Sequence, residues 1–216
     1  LILVPIVTGL QDQGLVFDVA LHFGSLAAVV IYFRQELWLM ALAWLGSLRT
    51  RRLDANSRLA WAVLLGTIPV GLAGLLLNDT IETVLRSPLY LAAGLIFFGV
   101  ILGWVDWRHR GIRTEYQLRW RDVAFIGFAQ ALFPGTSRSG ITMTAGLMLG
   151  MSRDAASRFS FLLSIPVIVI ATALQTYELL KSEQTIAYGA LATGTILSGI
   201  SAYLCIHFFL AFINRI

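Results

Sequence analysis

Charge is scarce in this chain of 216 residues. Only 13% are Asp, Glu, Lys or Arg, about half the soluble share, while 57% are hydrophobic. That balance excludes an ordinary soluble domain and reads as an integral membrane protein, taken as a single membrane domain over residues 1–216. The single cysteine, Cys205 in an apolar stretch, excludes a disulfide framework and a thiol–metal cluster. No basic-then-apolar leader precedes the first span, and residue 1 is Leu rather than Met, which reads as a fragment. The formal net charge of +4 is carried mostly by loop arginines, so it reports membrane orientation and not nucleic-acid binding.

What is present is a series of apolar runs of two lengths. Leu15–Phe33, Leu59–Leu77, Leu89–Val105, Phe159–Leu180 and Ile186–Ile213 are long enough to span a bilayer, two of them despite Pro69 and Pro166. Leu37–Leu48 is short and Trp-rich, the signature of an interfacial segment. Leu1–Leu10, Val123–Phe133 and Ile141–Met151 are about half the ~20 residues that a spanning helix needs. Between the last two lies Pro134-Gly135-Thr136-Ser137-Arg138-Ser139-Gly140. A polar loop between two half-length apolar helices reads as a re-entrant hairpin, and irregular backbone at that depth must line a wet cavity or pack in protein. An arginine there marks a functional site by default.

The loop has the chemistry of a phosphate site. Pro134 ends the incoming arm, and Gly135 and Gly140 are expected to let the backbone turn tightly. Ser137, Ser139 and Thr142 offer hydroxyls, and Arg138 offers a permanently charged fork that matches phosphate oxygens. The second half-helix, starting near Ser139, aims its free amides at the loop. The plainer alternative is a Ser/Gly-rich turn whose arginine snorkels to the interface.

Arginine asymmetry puts Arg34–Arg58, Asp106–Asp122 and Ser152–Arg158 on the cytoplasmic side, and Asn78–Pro88 and residues 1–14 outside. A weak internal repeat is visible: Gly66-Thr67-Ile68 followed by Gly71 recurs as Gly194-Thr195-Ile196 followed by Gly199. It predicts an all-α, multi-spanning bundle with re-entrant half-helix hairpins in an inverted repeat. In that frame the chain lacks the first half of the first hairpin, before Leu1, and the last spanning helix, after Ile216.

Other chemistries fit less well. Asp18, His22 and Ser25 share one helical face, and His22 is a candidate ligand or base; His207 and His109 read as packing and solvated residues. The loop is not a P-loop, since no Gly-Lys pair follows, and Cys205 has no arginine in a following loop. Ser152–Arg158 is followed by Phe159 where an acid-phosphatase-like lipid phosphatase would carry its histidine.

Pro134-Gly135-Thr136-Ser137-Arg138-Ser139-Gly140-Ile141-Thr142 matches the PGxSRSxxT signature of the undecaprenyl-diphosphate phosphatase family, the bacitracin-resistance type. The resemblance extends through Phe17–Leu26, Gly127–Gln130, Gly146–Arg153 and Phe159–Leu163, along nearly the whole chain. It implies a multi-pass enzyme of the bacterial inner membrane that hydrolyses undecaprenyl diphosphate and recycles the lipid carrier for peptidoglycan. By resemblance, Arg138 and Ser137 are catalytic. Ser139, Thr142, Gly135, Gly140 and His22 hold substrate. The partners are the undecaprenyl diphosphate and membrane lipid, with room for a homodimer and no role for nucleic acid.

The chain departs from the family in its ends and in one spacing. The glutamates and histidine that the family uses for metal and proton transfer lie upstream of Leu1. A divalent cation, Mg2+, is therefore expected to have no ligand in this chain, and residues 1–216 alone are expected to be inactive. Gln130 to Pro134 is two residues shorter than the family spacing, which turns Gln130 by roughly 200° relative to the loop. A different class also fits the architecture: an inverted-repeat transporter or flippase for a polyprenyl phosphate lipid.

Overall fold

The computed structural model describes residues 14–76, 88–108, 111–132, 137–181, 188–213 and 215. Leu1–Leu10, Asn78–Arg86, His109 and the loop residues Phe133, Pro134, Gly135 and Thr136 lie outside the described residues, as does the side chain of Asp18. The described chain is helical throughout: α1 (Gly14–Tyr32), α2 (Arg34–Thr50), α3 (Ala55–Leu76), α4 (Pro88–Arg108), a 3-10 turn (Glu115–Gln117), α5 (Trp120–Leu132), α6 (Arg138–Met148), α7 (Arg153–Lys181) and α8 (Tyr188–Ile213). The only bridge of β type among the described residues is isolated, between Arg113 and Met151. Three helices carry windows long and apolar enough to cross a membrane: Ala55–Gly74, Arg153–Leu174 and Gly189–Ile213. Together with the exposed apolar side chains, among them Phe97, Val100, Phe128, Leu197 and Phe208, this defines a multi-pass membrane protein.

Most predicted runs appear as helices, with different ends. The expected loop Ser152–Arg158 is already helical from Arg153. Ser152 explains the correction: its hydroxyl accepts from the Ala155 amide at 3.2 Å and its carbonyl from Ala156 at 2.9 Å, so a cap sets the boundary, not the first charge. Likewise the basic loop Arg49–Arg58 shrinks to residues 51–54. Asp54 caps α3, its carboxylate accepting from the Ser57 amide at 2.7 Å while its own amide donates to the Ser57 hydroxyl at 2.9 Å.

The chain forms two compact units, Leu1–Phe33 with Val167–Ile216, and Arg34–Pro166. In the first, α1 packs on α8 through small residues. A side chain on Gly24 would strike the Thr195 carbonyl, and the Ser25 and Ser198 hydroxyls meet at 2.9 Å. In the second, α3 packs on α2 and α5, and α6 packs on α4 and α5. Gly127 of α5 lets that helix come close to α3, since a Cβ there would lie 2.8 Å from the Gly66 carbonyl. The buried core of this unit includes Val63, Val105, Ile126, Leu147, Met151, Phe159 and Leu163.

Candidate active site

The half-length arms are real helices. The α5 helix has 13 residues and α6 has 11, so they are about 20 and 16 Å long, each short of the ~30 Å hydrocarbon core. They pack on each other, which makes them a hairpin. Ser137 is the N-cap of α6, its hydroxyl accepting from the Gly140 amide at 3.3 Å and lying 3.2 Å from the Ser139 hydroxyl. The first-turn amides of α6 have no acceptor inside the helix, so they favour an anion at this end.

The structure brings Ser137, Arg138, Ser139 and Gly140 together at that end. Arg138 is the first residue of α6, half-buried, and no carboxylate among the described residues pairs with it. Among the described residues this cation has no internal counter-charge, which suits an anion-binding role. Gly140 corrects an expectation. It lies inside the first turn of α6, not in the loop, and a Cβ there would only touch Ser137 at 3.4 Å. Its contribution is the amide that takes the Ser137 cap.

Thr142 faces inward and is 3% exposed. Its hydroxyl lies 2.9 Å from the Arg138 carbonyl, 3.1 Å from that of Ser139 and 2.6 Å from the Ser160 hydroxyl on α7. Gln130, whose placement the short spacing put at issue, is 2% exposed and donates from Nε2 to the Gly66 carbonyl at 2.8 Å. It therefore ties the incoming arm to α3, near Pro69. His22 sits half-buried on α1, in the unit formed by Leu1–Phe33 and Val167–Ile216; Gly135 lies outside the described residues.

The open ends of the hairpin are pinned by a group that sequence patterns did not single out. Arg113 donates from Nη1 to the Leu149 carbonyl at 2.7 Å, and from Nη2 to the Gln117 carbonyl at 2.8 Å and Asp122 Oδ2 at 2.6 Å. Its backbone pairs with Gly150 and Ser152. Gly150 (φ +81°) ends α6 in a left-handed cap, with the Met151 amide on the Gly146 carbonyl at 3.1 Å. Asp122 also accepts from the Arg119 amide at 2.9 Å, capping α5. Burial pushes its carboxyl up, but the bonds from Arg119 and Arg113 outweigh that and hold it below the ordinary aspartate value. Beside this clamp, Arg153 forms a bidentate pair with Asp106 at 2.6 and 2.9 Å, Arg158 bonds Glu36 and Glu115, and Arg58 donates to the Leu118 carbonyl at 2.7 Å. Arg58, Arg113, Arg153 and Arg158, from segments expected to share one membrane side, thus each find polar partners within Arg34–Pro166.

No three His, Cys, Asp or Glu side chains come together as a cation site among the described residues. The hairpin offers hydroxyls, amides and a guanidinium, which suit an anion and do not fit a divalent cation, so no step is assigned to a metal here.

Fold and site together define a multi-pass helical membrane protein that presents a cationic helix N-terminus between two half-length helices. The chain belongs to the family described as bacitracin resistance protein BacA, whose profile matches residues 1–216. It is 55% identical over 218 aligned positions to the undecaprenyl-diphosphatase of Nitrosococcus oceani, covering all of this chain and 82% of that protein. Undecaprenyl-diphosphatase 2 of Stutzerimonas stutzeri is 55% identical over 221 positions, and the undecaprenyl-diphosphatase of Thioalkalivibrio sulfidiphilus 54% over 218, each with the same coverage.

Proposed function

We propose that this protein hydrolyses undecaprenyl diphosphate to undecaprenyl phosphate and inorganic phosphate, in the inner membrane, with the diphosphate held at the N-terminus of α6. The observation that carries the reading is Arg138 at the first turn of a capped half-helix, with no carboxylate partner among the described residues. The bond broken is the one between the bridging oxygen and the terminal phosphorus; a water oxygen takes its place. Charge spreads over the phosphoryl oxygens in that step, and fixed donors aimed at them lower the barrier. Arg138 supplies the charged fork, the first-turn amides supply aligned dipoles, and the hydroxyls of Ser137 and Ser139 orient the oxygens. The prenyl tail lies along the apolar helix faces.

The arms of the hairpin are re-entrant from the cytoplasmic side in this reading, and the Gly-Thr-Ile repeat relates them to a second hairpin of opposite orientation. A divalent cation on the diphosphate has its ligands elsewhere than in the hairpin. Residues 1–216 by themselves are then expected to bind inorganic diphosphate without turnover.

Phosphate release from undecaprenyl diphosphate in detergent with added magnesium tests the reading, with residues 1–216 and the full natural protein compared. Release by the full protein supports it. Lipid translocation without release would favour the flippase reading, which the names of the relatives do not support. Equal release by residues 1–216 would move the search for the base and the metal ligands to Asp18 and His22.

A further inference from the structure

A buried polar contact close to the α6 N-terminus takes no part in the chemistry proposed for Arg138. Ser160 lies eight residues into α7's course from Ser152, on a helix fixed at its start by the Ser152 cap and the Arg153–Asp106 pair. It is 4% exposed, and its hydroxyl meets that of Thr142 at 2.6 Å. Two buried hydroxyls at that distance share one proton between them, so one donates and the other accepts.

The direction follows from the other contacts. Thr142 Oγ1 lies 2.9 Å from the Arg138 carbonyl and 3.1 Å from the Ser139 carbonyl, and carbonyls only accept. The Thr142 proton therefore points at these two oxygens, and the proton between the hydroxyls comes from Ser160. The reverse order would set the Thr142 lone pairs against two carbonyl lone pairs. The result is a directed chain, Ser160 to Thr142 to the first-turn carbonyls of α6.

One of those carbonyls shares its peptide group with an amide that faces the anion, the other with the amide that holds the Ser137 cap. The Arg138 carbonyl shares its peptide with the Ser139 N–H, which faces the anion, and the Ser139 carbonyl shares its peptide with the Gly140 N–H, which donates to the Ser137 hydroxyl at 3.3 Å. A hydrogen bond into a carbonyl polarises the N–H at the other end of its peptide, by about 10–30% per bond in a chain of this kind. The contact also fixes the rotation of α6 against α7, and with it the direction in which Arg138 leaves the helix.

We propose that Ser160 is a positioning residue for the diphosphate site, acting through Thr142 on the amide of Ser139, on the Gly140 amide that holds the Ser137 cap, and on the aim of Arg138. The inference rests on the reading that the α6 N-terminus holds the diphosphate. It gives Thr142 a role that differs from direct contact with substrate: its hydroxyl is committed inside the protein.

The test compares Ser160→Ala, Thr142→Val, their double variant and Thr142→Ser in the full natural protein, in detergent. The readouts are kcat/KM for phosphate release, the inhibition constant of inorganic diphosphate, and the melting temperature. Ser160→Ala is expected to lower kcat/KM about three- to tenfold, the worth of one hydrogen bond, and to weaken diphosphate inhibition in parallel. Thr142→Val is expected to lose at least as much, Thr142→Ser to recover most of that loss by restoring the hydroxyl, and the double variant to be no worse than Thr142→Val. Ser160→Ala with unchanged kcat/KM and inhibition, even if it melts lower, overturns the proposal and leaves a packing contact. So does a double variant whose losses multiply. Absence of phosphate release from the unmodified protein overturns the site reading itself, a result distinct from an active protein indifferent to Ser160.

Discussion

Replacing Arg113 by alanine should loosen the hairpin from its open end. The guanidinium makes three side-chain hydrogen bonds, to the Leu149 and Gln117 carbonyls and to Asp122, and these lie at the end of α6, in the connecting turn and at the start of α5. Hydrogen bonds to charged groups are worth about 1.5–3 kcal/mol each when dry. Arg113 is 30% exposed, so water replaces part of them, but Asp122 at 11% would keep a buried charge with the Arg119 amide as its remaining donor among the described residues. A net loss of about 2 kcal/mol follows, roughly 30-fold in the unfolding equilibrium and about 4–8 °C in Tm for a chain of this size. Arg113→Lys should recover less than half, because one compact ammonium cannot span acceptors on three segments. The folded carboxyl of Asp122 lies below its unfolded value of about 3.9, so its stabilisation is complete at neutral pH and is lost as pH falls through the folded value. Arg113→Ala should accordingly flatten the acid limb of the stability profile. Thermal unfolding in detergent from pH 3 to 7, with Asp122→Ala and the double variant, measures this. A Tm change within about 1 °C, or losses from Arg113→Ala and Asp122→Ala that simply add, would refute the clamp.

Other outcomes follow from the same geometry. Gly127→Ala should push α5 off α3 and destabilise by about 1–3 kcal/mol, because its Cβ would lie 2.8 Å from the Gly66 carbonyl; an unchanged Tm would show that the helices part freely. Gln130→Leu keeps bulk but strips the Gly66 carbonyl of its donor, and should cost about 1–3 kcal/mol by the same measurement; stabilisation would mean that the bond is dispensable. In a Cys205→Ser background, cysteines at Asn56 and Gln117 should resist an impermeant thiol reagent on whole cells while one at Asn78 reacts, and the opposite pattern would invert the topology.

Hydropathy made the helices legible. Leu59–Leu77, Leu89–Val105 and Val123–Phe133 all fall within or close to α3, α4 and α5, because apolar length is a property of the segment alone. The start of α6 was legible for the same local reason: Ser137 as cap and Arg138 beside it sit next to each other in sequence. The supports were not. Gln130 finds its acceptor 64 residues away, and Arg113 reaches Leu149 across 36, so no spacing rule announces them. Thr142 and Ser160 are 18 apart on different helices, and from sequence Thr142 reads as one more hydroxyl of the loop. Gly140 misled because glycine beside a turn suggests backbone freedom, whereas here it stands inside the first helical turn. The arginine-rich loops were placed on one side by charge asymmetry, but the ion pairs that organise them depend on Asp106, Glu36 and Glu115 arriving from separate helices.

The central claim is that Arg138 binds the diphosphate and stabilises the charge that develops as the terminal phosphate leaves. The most direct measurement is kcat/KM for phosphate release from undecaprenyl diphosphate by the full natural protein carrying Arg138→Ala or Arg138→Lys. Both should fall by more than ~10²-fold, the loss typical of a donor that stabilises a developing oxyanion, with the lysine no substitute for the bidentate fork. Near-normal turnover in Arg138→Ala, with the protein folded in detergent, would contradict the account.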